Sequence, residues 1–232
     1  MSVNDLVLVQ GMKDTRSTLA AWQRDPLAVI GVWLGLSFLI ALALLVAVYG
    51  AAVNTKPDYF PLVLPGLNRE AYVMDVLSVL YRNSLVLALH AMACVAGFIA
   101  GSSLPLSAEK RHGFSRWVHE KAGPLAIAFV LCATTFSLVT QAYVLGGGAA
   151  TLSWQLGLDP AALLIVLSVH ALPELVALFL PLAAWIVASR KGEWDQLLAA
   201  TFVTVAIAVP ILVVSAVVEV YLTPQLLIDV SH

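Results

Sequence analysis

A histidine and a glutamate lie one helical turn apart within an apolar stretch of this chain. His170 and Glu174 occupy positions i and i+4, so on a helix they share one face, roughly 6 Å apart, and can bond each other or a common third group. An ionisable side chain at membrane depth costs roughly 2.5–3.5 kcal/mol on insertion scales, so each needs a partner or a wet cavity. Such a pair suits an interhelical clamp, a proton or ion pathway, or part of a zinc site.

Other polar side chains inside apolar runs extend this pair into a predicted intramembrane network. Ser215 and Glu219 repeat the i, i+4 spacing in the last run, and His90 lies in an earlier one. Gln141 ends a polar stripe that should face other helices, because lipid offers it no hydrogen bond. We expect His170, Glu174, Glu219 and His90 to share a pocket in the outer half of the protein, with Ser215 and Gln141 in the same network.

Catalytic motifs are weak in this sequence. An HxxxE spacing alone indicates little, no HExxH or GxSxG motif stands out, and Cys94 and Cys132 fall in apolar runs where thiols act as small hydrophobes. A zinc site on His90, His170 and Glu174, and with it a metal-dependent enzyme, is the third of three alternatives. We therefore expect no catalytic residue, no cofactor and no bound metal.

The elements that must position these residues are membrane-spanning helices. The 232 residues are 61% hydrophobic and 11% charged, with a mean hydropathy of +0.93, which excludes an ordinary soluble domain. The net charge of -2 and the lack of a basic, aromatic surface argue against nucleic acid as a partner. Crossing about 30 Å of hydrocarbon takes about 20 apolar residues. The sequence predicts an all-α, polytopic helical bundle, one domain over 1–232, with five spans at about 26–50, 83–104, 124–146, 160–189 and 197–222.

Lysine and arginine counts predict the orientation of these spans. Alternate loops carry nine basic residues on the side of the N-terminus and three on the other, so the N-terminus is placed in the cytoplasm and the C-terminus outside. The first apolar run is too long for a signal-peptide core and is expected to be retained. We expect a bacterial cytoplasmic membrane location, with basic loop 105–123 against anionic lipid.

Prolines and glycines mark the predicted ends of the helices. Asp25-Pro26 and Asp159-Pro160 are good helix starts, Gly146-Gly147-Gly148 is expected to open a loop over 147–159, and Thr223-Pro224 is expected to end the fifth span. In loop 51–82, two predictions remain open for the residues from Asn68 onward. They form either an amphipathic helix on the membrane surface or an extension of the second span. Two small-residue pairs are candidates for close helix packing: Gly31 with Gly35, and Gly97 with Gly101.

The last third of the chain resembles a known family of membrane proteins. His170-Ala171-Leu172-Pro173-Glu174-Leu175 is similar to the His-Gly-x-x-Glu-Leu segment of the stage II sporulation protein M family, and Ala216–Pro224 resembles its Ala-x-x-Glu-x-x-x-Thr-Pro ending. Arg82-Asn83-Ser84 is similar to the family's paired asparagines. Ala171 replaces the glycine, Ser84 replaces the second asparagine, and the family's Asn-Gly has no clear counterpart beyond Gln141-Ala142. The resemblance implies a multi-spanning scaffold; sporulating members recruit peptidoglycan-degrading enzymes.

Two functions follow as expectations from these observations. The first is a non-enzymatic membrane scaffold that organises cell-envelope partners, with the His/Glu network as an interhelical clamp and loop 51–82 as the partner surface. The alternative is a small transporter or ion- or proton-coupled permease that uses the same network. The expected partners are membrane lipids and other membrane or envelope proteins, and a homo-oligomer is allowed.

Overall fold

Five helical segments in the structure, a computed structural model that describes residues 7–103 and 113–231, are long and apolar enough to cross a membrane. They cover Pro26–Asn54, Val73–Gly101, Ile127–Leu156, Pro160–Lys191 and Trp194–Ser231. None of the described residues forms a β-strand; Pro65 and Arg69 make one isolated bridge. The prediction of an all-α, multi-pass membrane protein with five spans is confirmed.

Seven α-helices carry the described chain. They are α1 (Val7–Trp22), α2 (Pro26–Asn54), α3 (Val73–Phe98), α4 (Gly113–Leu156), α5 (Pro160–Lys191), α6 (Leu197–Val217) and α7 (Thr223–Ser231). A wide π turn, Ile99–Ser103, extends α3, another, Val218–Leu222, joins α6 to α7, and a 3₁₀ turn, Trp194–Gln196, precedes α6. The predicted end of the second span at Leu104 and the basic residues Lys110, Arg111 and His112 lie outside the described residues.

Two aspartates begin helices where the sequence places them. The Asp25 carboxylate accepts a hydrogen bond from the backbone N–H of Ala28 at 3.2 Å, and the Asp159 carboxylate accepts one from Ala161 at 2.8 Å. Each bond satisfies one of the free N–H groups at the start of a helix, and the following proline needs no donor there. The starts of α2 and α5 are therefore set locally.

Helix α3 begins ten residues before the predicted start of the second span at Asn83. The Asp75 side chain accepts a hydrogen bond from the backbone N–H of Tyr72 at 2.9 Å and is ion-paired with Arg69, so a cap fixes the start of the helix at Val73. Of the two alternatives for this segment, the extension of the second span is the one observed. Arg82 is consequently a helix residue, where hydropathy alone places it in a loop.

The glycine-rich segment is helical, and the predicted loop over 147–159 is wrong. Helix α4 ends at Leu156 and is followed by Gly157, whose φ of 65° suits glycine. A Cβ on Gly146 would lie 2.4 Å from the Ala51 Cβ and 3.0 Å from the Val48 carbonyl oxygen. The glycine thus permits α2 and α4 to approach closely, a packing requirement that sequence pattern alone does not distinguish from a turn.

Thr223-Pro224 does not end the last span. The π turn Val218–Leu222 lets the Thr223 N–H reach the Val218 carbonyl, and α7 continues to Ser231 with Pro224 in its first turn, where a missing donor is tolerated. Gly66, with a φ of 75°, lies against this turn, since a Cβ there would be 3.0 Å from both Pro224 Cγ and the Val220 carbonyl oxygen. A helix that the sequence predicts to stop is therefore prolonged by a widened turn.

The chain forms two compact units, and each has its own apolar core. Unit 1 contains Met1–Ser37, Val86–Ala133 and Phe179–Ile207; unit 2 contains Phe38–Leu85, Thr134–Leu178 and Ala208–His232. The unit 1 core includes Trp33, Leu180, Ala183, Ala184 and Ala200. Unit 2 has one cluster of Ala52, Ala149, Leu152, Leu163 and Leu227 and another of Val79, Ala216 and Val220.

Candidate functional site

Unit 2 contains a cavity of about 380 Å³ with a small polar group in an otherwise apolar wall. His170 and Glu174 from α5, Glu219 from the π turn and Thr223 from α7 supply the polar side chains. Leucine, valine, alanine and proline dominate the rest of the wall. These residues come from α2, α4, α7 and the segment 62–67, and include Leu45, Val48, Leu62, Leu64, Leu152 and Leu227. An apolar cavity with a few convergent polar groups is the usual form of a small-ligand site.

His170 is held by a hydrogen bond to a different helix. Its Nδ1 atom lies 2.8 Å from the Thr223 hydroxyl oxygen, and both residues are buried. Because a hydroxyl can donate or accept, the bond forms with either tautomer of the imidazole. Ring orientation is therefore fixed while the proton on Nδ1 is not.

Two carboxylates sit beside one another in the same unit. The Oε2 atom of Glu174 is buried and has no hydrogen-bond partner among the described residues, and the charge of Glu219 acts on this carboxyl group. Arg82 of α3 is the cationic neighbour of both carboxyl groups. The Asn83 side chain lies close enough to Glu174 to act on it as a hydrogen-bond donor, although neither its Nδ2 atom nor Glu174 Oε2 completes a hydrogen bond of normal geometry within the described chain.

This arrangement favours uptake of a positive charge. Two neighbouring carboxylates in a low-dielectric wall repel each other unless they share a proton or bind a cation. Arg82 compensates only part of that charge from outside the cavity, since its own side chain is exposed. A proton or small cation delivered through the cavity would satisfy Glu174 and Glu219 together.

The structure brings together three of the six predicted network residues. His170, Glu174 and Glu219 line the unit 2 cavity. His90 belongs to unit 1, where its ring packs against Phe179 with the ring centroids 5.5 Å apart. Among the residues described, Ser215 and Gln141 are in unit 2 without lining this cavity; Ser215 is buried, and the Gln141 amide donates to the Ser137 hydroxyl on its own helix at 2.9 Å.

Sequence reasoning misses three residues of this site as members of the network. Arg82, Asn83 and Thr223 all carry a signal in the sequence, since they are polar residues at the predicted ends of apolar runs. Hydropathy falls at Arg82 and places it in a loop, and Thr223 before a proline indicates only a helix stop. Polar residues next to a predicted span end are thus the available clue.

The glycine pairs have different surroundings. A Cβ on Gly97 would lie 2.6 Å from the Trp185 Nε1 atom, and one on Gly101 would lie 2.3 Å from the Trp194 ring. No described atom lies within 4 Å of the corresponding position on Gly31 or Gly35. Within unit 1, the second pair therefore forms notches for two tryptophans.

Comparison with protein-family models, curated proteins and solved structures yields no match. Nor does any group of three or more His, Cys, Asp or Glu residues in the described part of the chain have an arrangement that would hold a metal ion. The geometry of the unit 2 cavity is consequently the main indication of function.

Proposed function

We propose that this protein is an ion- or proton-coupled membrane permease whose coupling site is Glu174 and Glu219. The observation that carries the proposal is the buried, unpartnered Oε2 atom of Glu174 beside a second carboxylate in the wall of a cavity. Intramembrane carboxylates that line a cavity are the usual residues of proton and ion pathways. Neither proton coupling nor ion coupling requires a catalytic nucleophile or a bound metal, so the proposal includes no enzymatic activity.

A clamp explains only part of this geometry. His170 and Thr223 do join two helices, as a clamp requires. Glu174 and Glu219, however, can hold helices together only if they share a proton or bind a cation, because two ionised carboxylates repel each other. The carboxyl groups therefore need a ligand in a way that the His170–Thr223 bond does not.

Thiol accessibility tests the permease. Both variants are made in a chain whose Cys94 and Cys132 are replaced by alanine. Ala171→Cys introduces a thiol into the cavity wall. The control, Val169→Cys, places a thiol at an exposed position of α5 that is not part of the lining described. A membrane-impermeant, cationic methanethiosulfonate should modify the Ala171→Cys thiol from either face of oriented vesicles and spare the Val169→Cys thiol.

The outcomes separate the two functions. Modification from both faces, slowed by E174Q, is the expected result, because loss of the carboxylate weakens attraction of the cationic reagent. Modification of the Ala171→Cys thiol from one face alone would indicate a binding site that does not translocate its ligand, and would contradict the permease proposal. Complete protection would reject an aqueous path to the cavity.

A scaffold of the stage II sporulation protein M type is the second candidate, and an exposed aromatic surface favours it. Tyr59 and Phe60, in the segment between α2 and α3, are 94% and 79% exposed, which suits contact with another envelope protein. Replacing both with serine should abolish co-purification of such a partner from membranes, while a serine at the exposed Tyr143 of α4 should not. Either function is proposed for a bacterial cytoplasmic membrane, with the N-terminus inside and self-association allowed.

A further inference from the structure

A second cavity, of about 320 Å³, lies in unit 1 and is independent of the carboxylate site. One part of its wall is apolar and is formed by small or aromatic residues, including Ala184, Ala200 and Trp33. The other part carries Lys191, Glu193 and Gln196. Opposite charges thus belong to one wall that also contains small and aromatic apolar residues.

The local fold of the chain places the two charges. Gly192 has a φ of 73°, and the Glu193 N–H donates to the Ala188 carbonyl at 3.0 Å, which together form a Schellman ending of α5. This turn lets Lys191 and Glu193 both reach the cavity wall from either side of the glycine. Neither side chain forms an ion pair with another described residue, so the two charges are available to a ligand.

The cavity lies where three spans begin or end. Pro26 begins one candidate span, Lys191 ends another, and Trp194 begins a third. Trp22 and Trp33 line the same cavity and meet edge to face with ring centroids 5.2 Å apart. Tryptophan is typical of the membrane–water boundary. Val32, half exposed, also belongs to the lining, so the cavity wall includes a residue on the surface that spans present to lipid.

We propose that this cavity binds the headgroup of a phospholipid that carries both a phosphate and a primary ammonium, as phosphatidylethanolamine does. The Lys191 ammonium would pair with the phosphate, and Glu193 with Gln196 would accept hydrogen bonds from the ligand ammonium. Glu193 disfavours a headgroup that is only anionic, and a trimethylated ammonium has no N–H to donate. The tryptophans add attraction for the cation, and the acyl chains follow the apolar wall to Val32.

Lipid retention in native mass spectrometry tests this site. The full chain is purified in detergent with equal amounts of dioleoyl phosphatidylethanolamine, phosphatidylglycerol and phosphatidylcholine, and the retained lipid is identified. Phosphatidylethanolamine should be retained in preference. K191Q and E193Q should each lower its retention about fivefold, as expected for the loss of one charged hydrogen bond. R190Q removes the same charge from an exposed neighbour outside the described lining and should have no effect.

Four results would overturn the proposal. Equal retention of the three lipids would show no headgroup selection, and equal losses in R190Q and K191Q would reduce the effect to overall charge. Equal retention of soluble phosphoethanolamine at the same concentration would make the ligand a free metabolite. An E193Q chain that still prefers phosphatidylethanolamine would contradict the role of the carboxylate. As a control, unchanged thermal unfolding of K191Q, E193Q and R190Q shows that these variants fold.

Discussion

The Nδ1 atom of His170 lies 2.8 Å from the Thr223 hydroxyl oxygen, although 53 residues separate the two in the chain. The bond joins α5 to α7 within unit 2, on the wall of the cavity that also carries Glu174 and Glu219. Of the polar side chains on this wall, His170 and Thr223 therefore have a structural role. The carboxylates that share the cavity have no such bond to each other.

A double-mutant cycle measures the His170–Thr223 bond. We expect H170Q and T223V each to lower the free energy of unfolding in bicelles by roughly 0.6–1.5 kcal/mol, the range for a buried hydrogen bond in membrane proteins and in general. The double variant should cost less than the sum, because the second substitution removes no further bond. T204V serves as the control, since the buried Thr204 hydroxyl donates to the Ala200 and Thr201 carbonyls of its own helix. Additive costs at His170 and Thr223 would contradict the pairing.

Neutralising Glu174 separates a binding site from a clamp. E174Q keeps the shape of the side chain and removes one of two like charges, so we expect the free energy of unfolding to rise by roughly 1 kcal/mol. If the proposed permease function is correct, the same variant should lose cation-dependent transport. D229N, at an exposed position of α7, is the matched control and should change neither property. If E174Q instead lowers the free energy of unfolding, the Glu174 carboxylate acts as an interhelical clamp and the binding-site interpretation is contradicted.

Gly146 is expected to tolerate no side chain. G146A places a methyl group against Ala51 of α2, and overpacking of this kind lowers the free energy of unfolding by about 1–3 kcal/mol. Gly147 is the matched control, because a Cβ added there would lie 3.9 Å from the nearest described atom, a methyl carbon of Thr55. G147A should raise stability by about 0.5–1 kcal/mol through helix propensity. Equal effects of the two substitutions would show that α2 and α4 do not meet at Gly146.

The two predicted glycine pairs should respond differently to alanine. G97A drives a methyl group into the buried Trp185 ring, so unfolding should become easier by about 1–3 kcal/mol. G35A meets no described atom within 4 Å and should cause no loss. Thermal unfolding of both variants in the same detergent, followed by far-ultraviolet circular dichroism, provides the comparison. A G97A protein as stable as the G35A protein would remove the packing role of the second pair.

Local features of the sequence are sufficient to define the class and several helix ends. Apolar length fixes the five spans because hydrocarbon must be crossed by helices whose backbone groups bond internally. Asp25-Pro26 and Asp159-Pro160 predict two helix starts correctly, since capping acts over three residues. The i, i+4 spacing places His170 and Glu174 on one face for the same local reason.

Tertiary packing decides what the sequence leaves open. Gly146 lies within a helix and allows α2 to approach closely, and Pro224 follows a widened turn that lies against Gly66. In both cases the contacting residues are far away in the chain. The same holds for the site, where Thr223, not Glu174, bonds His170, and where His90 belongs to a different unit. Periodicity states which face of a helix is polar, but the partner of that face depends on how helices far apart in sequence pack, which no local pattern encodes.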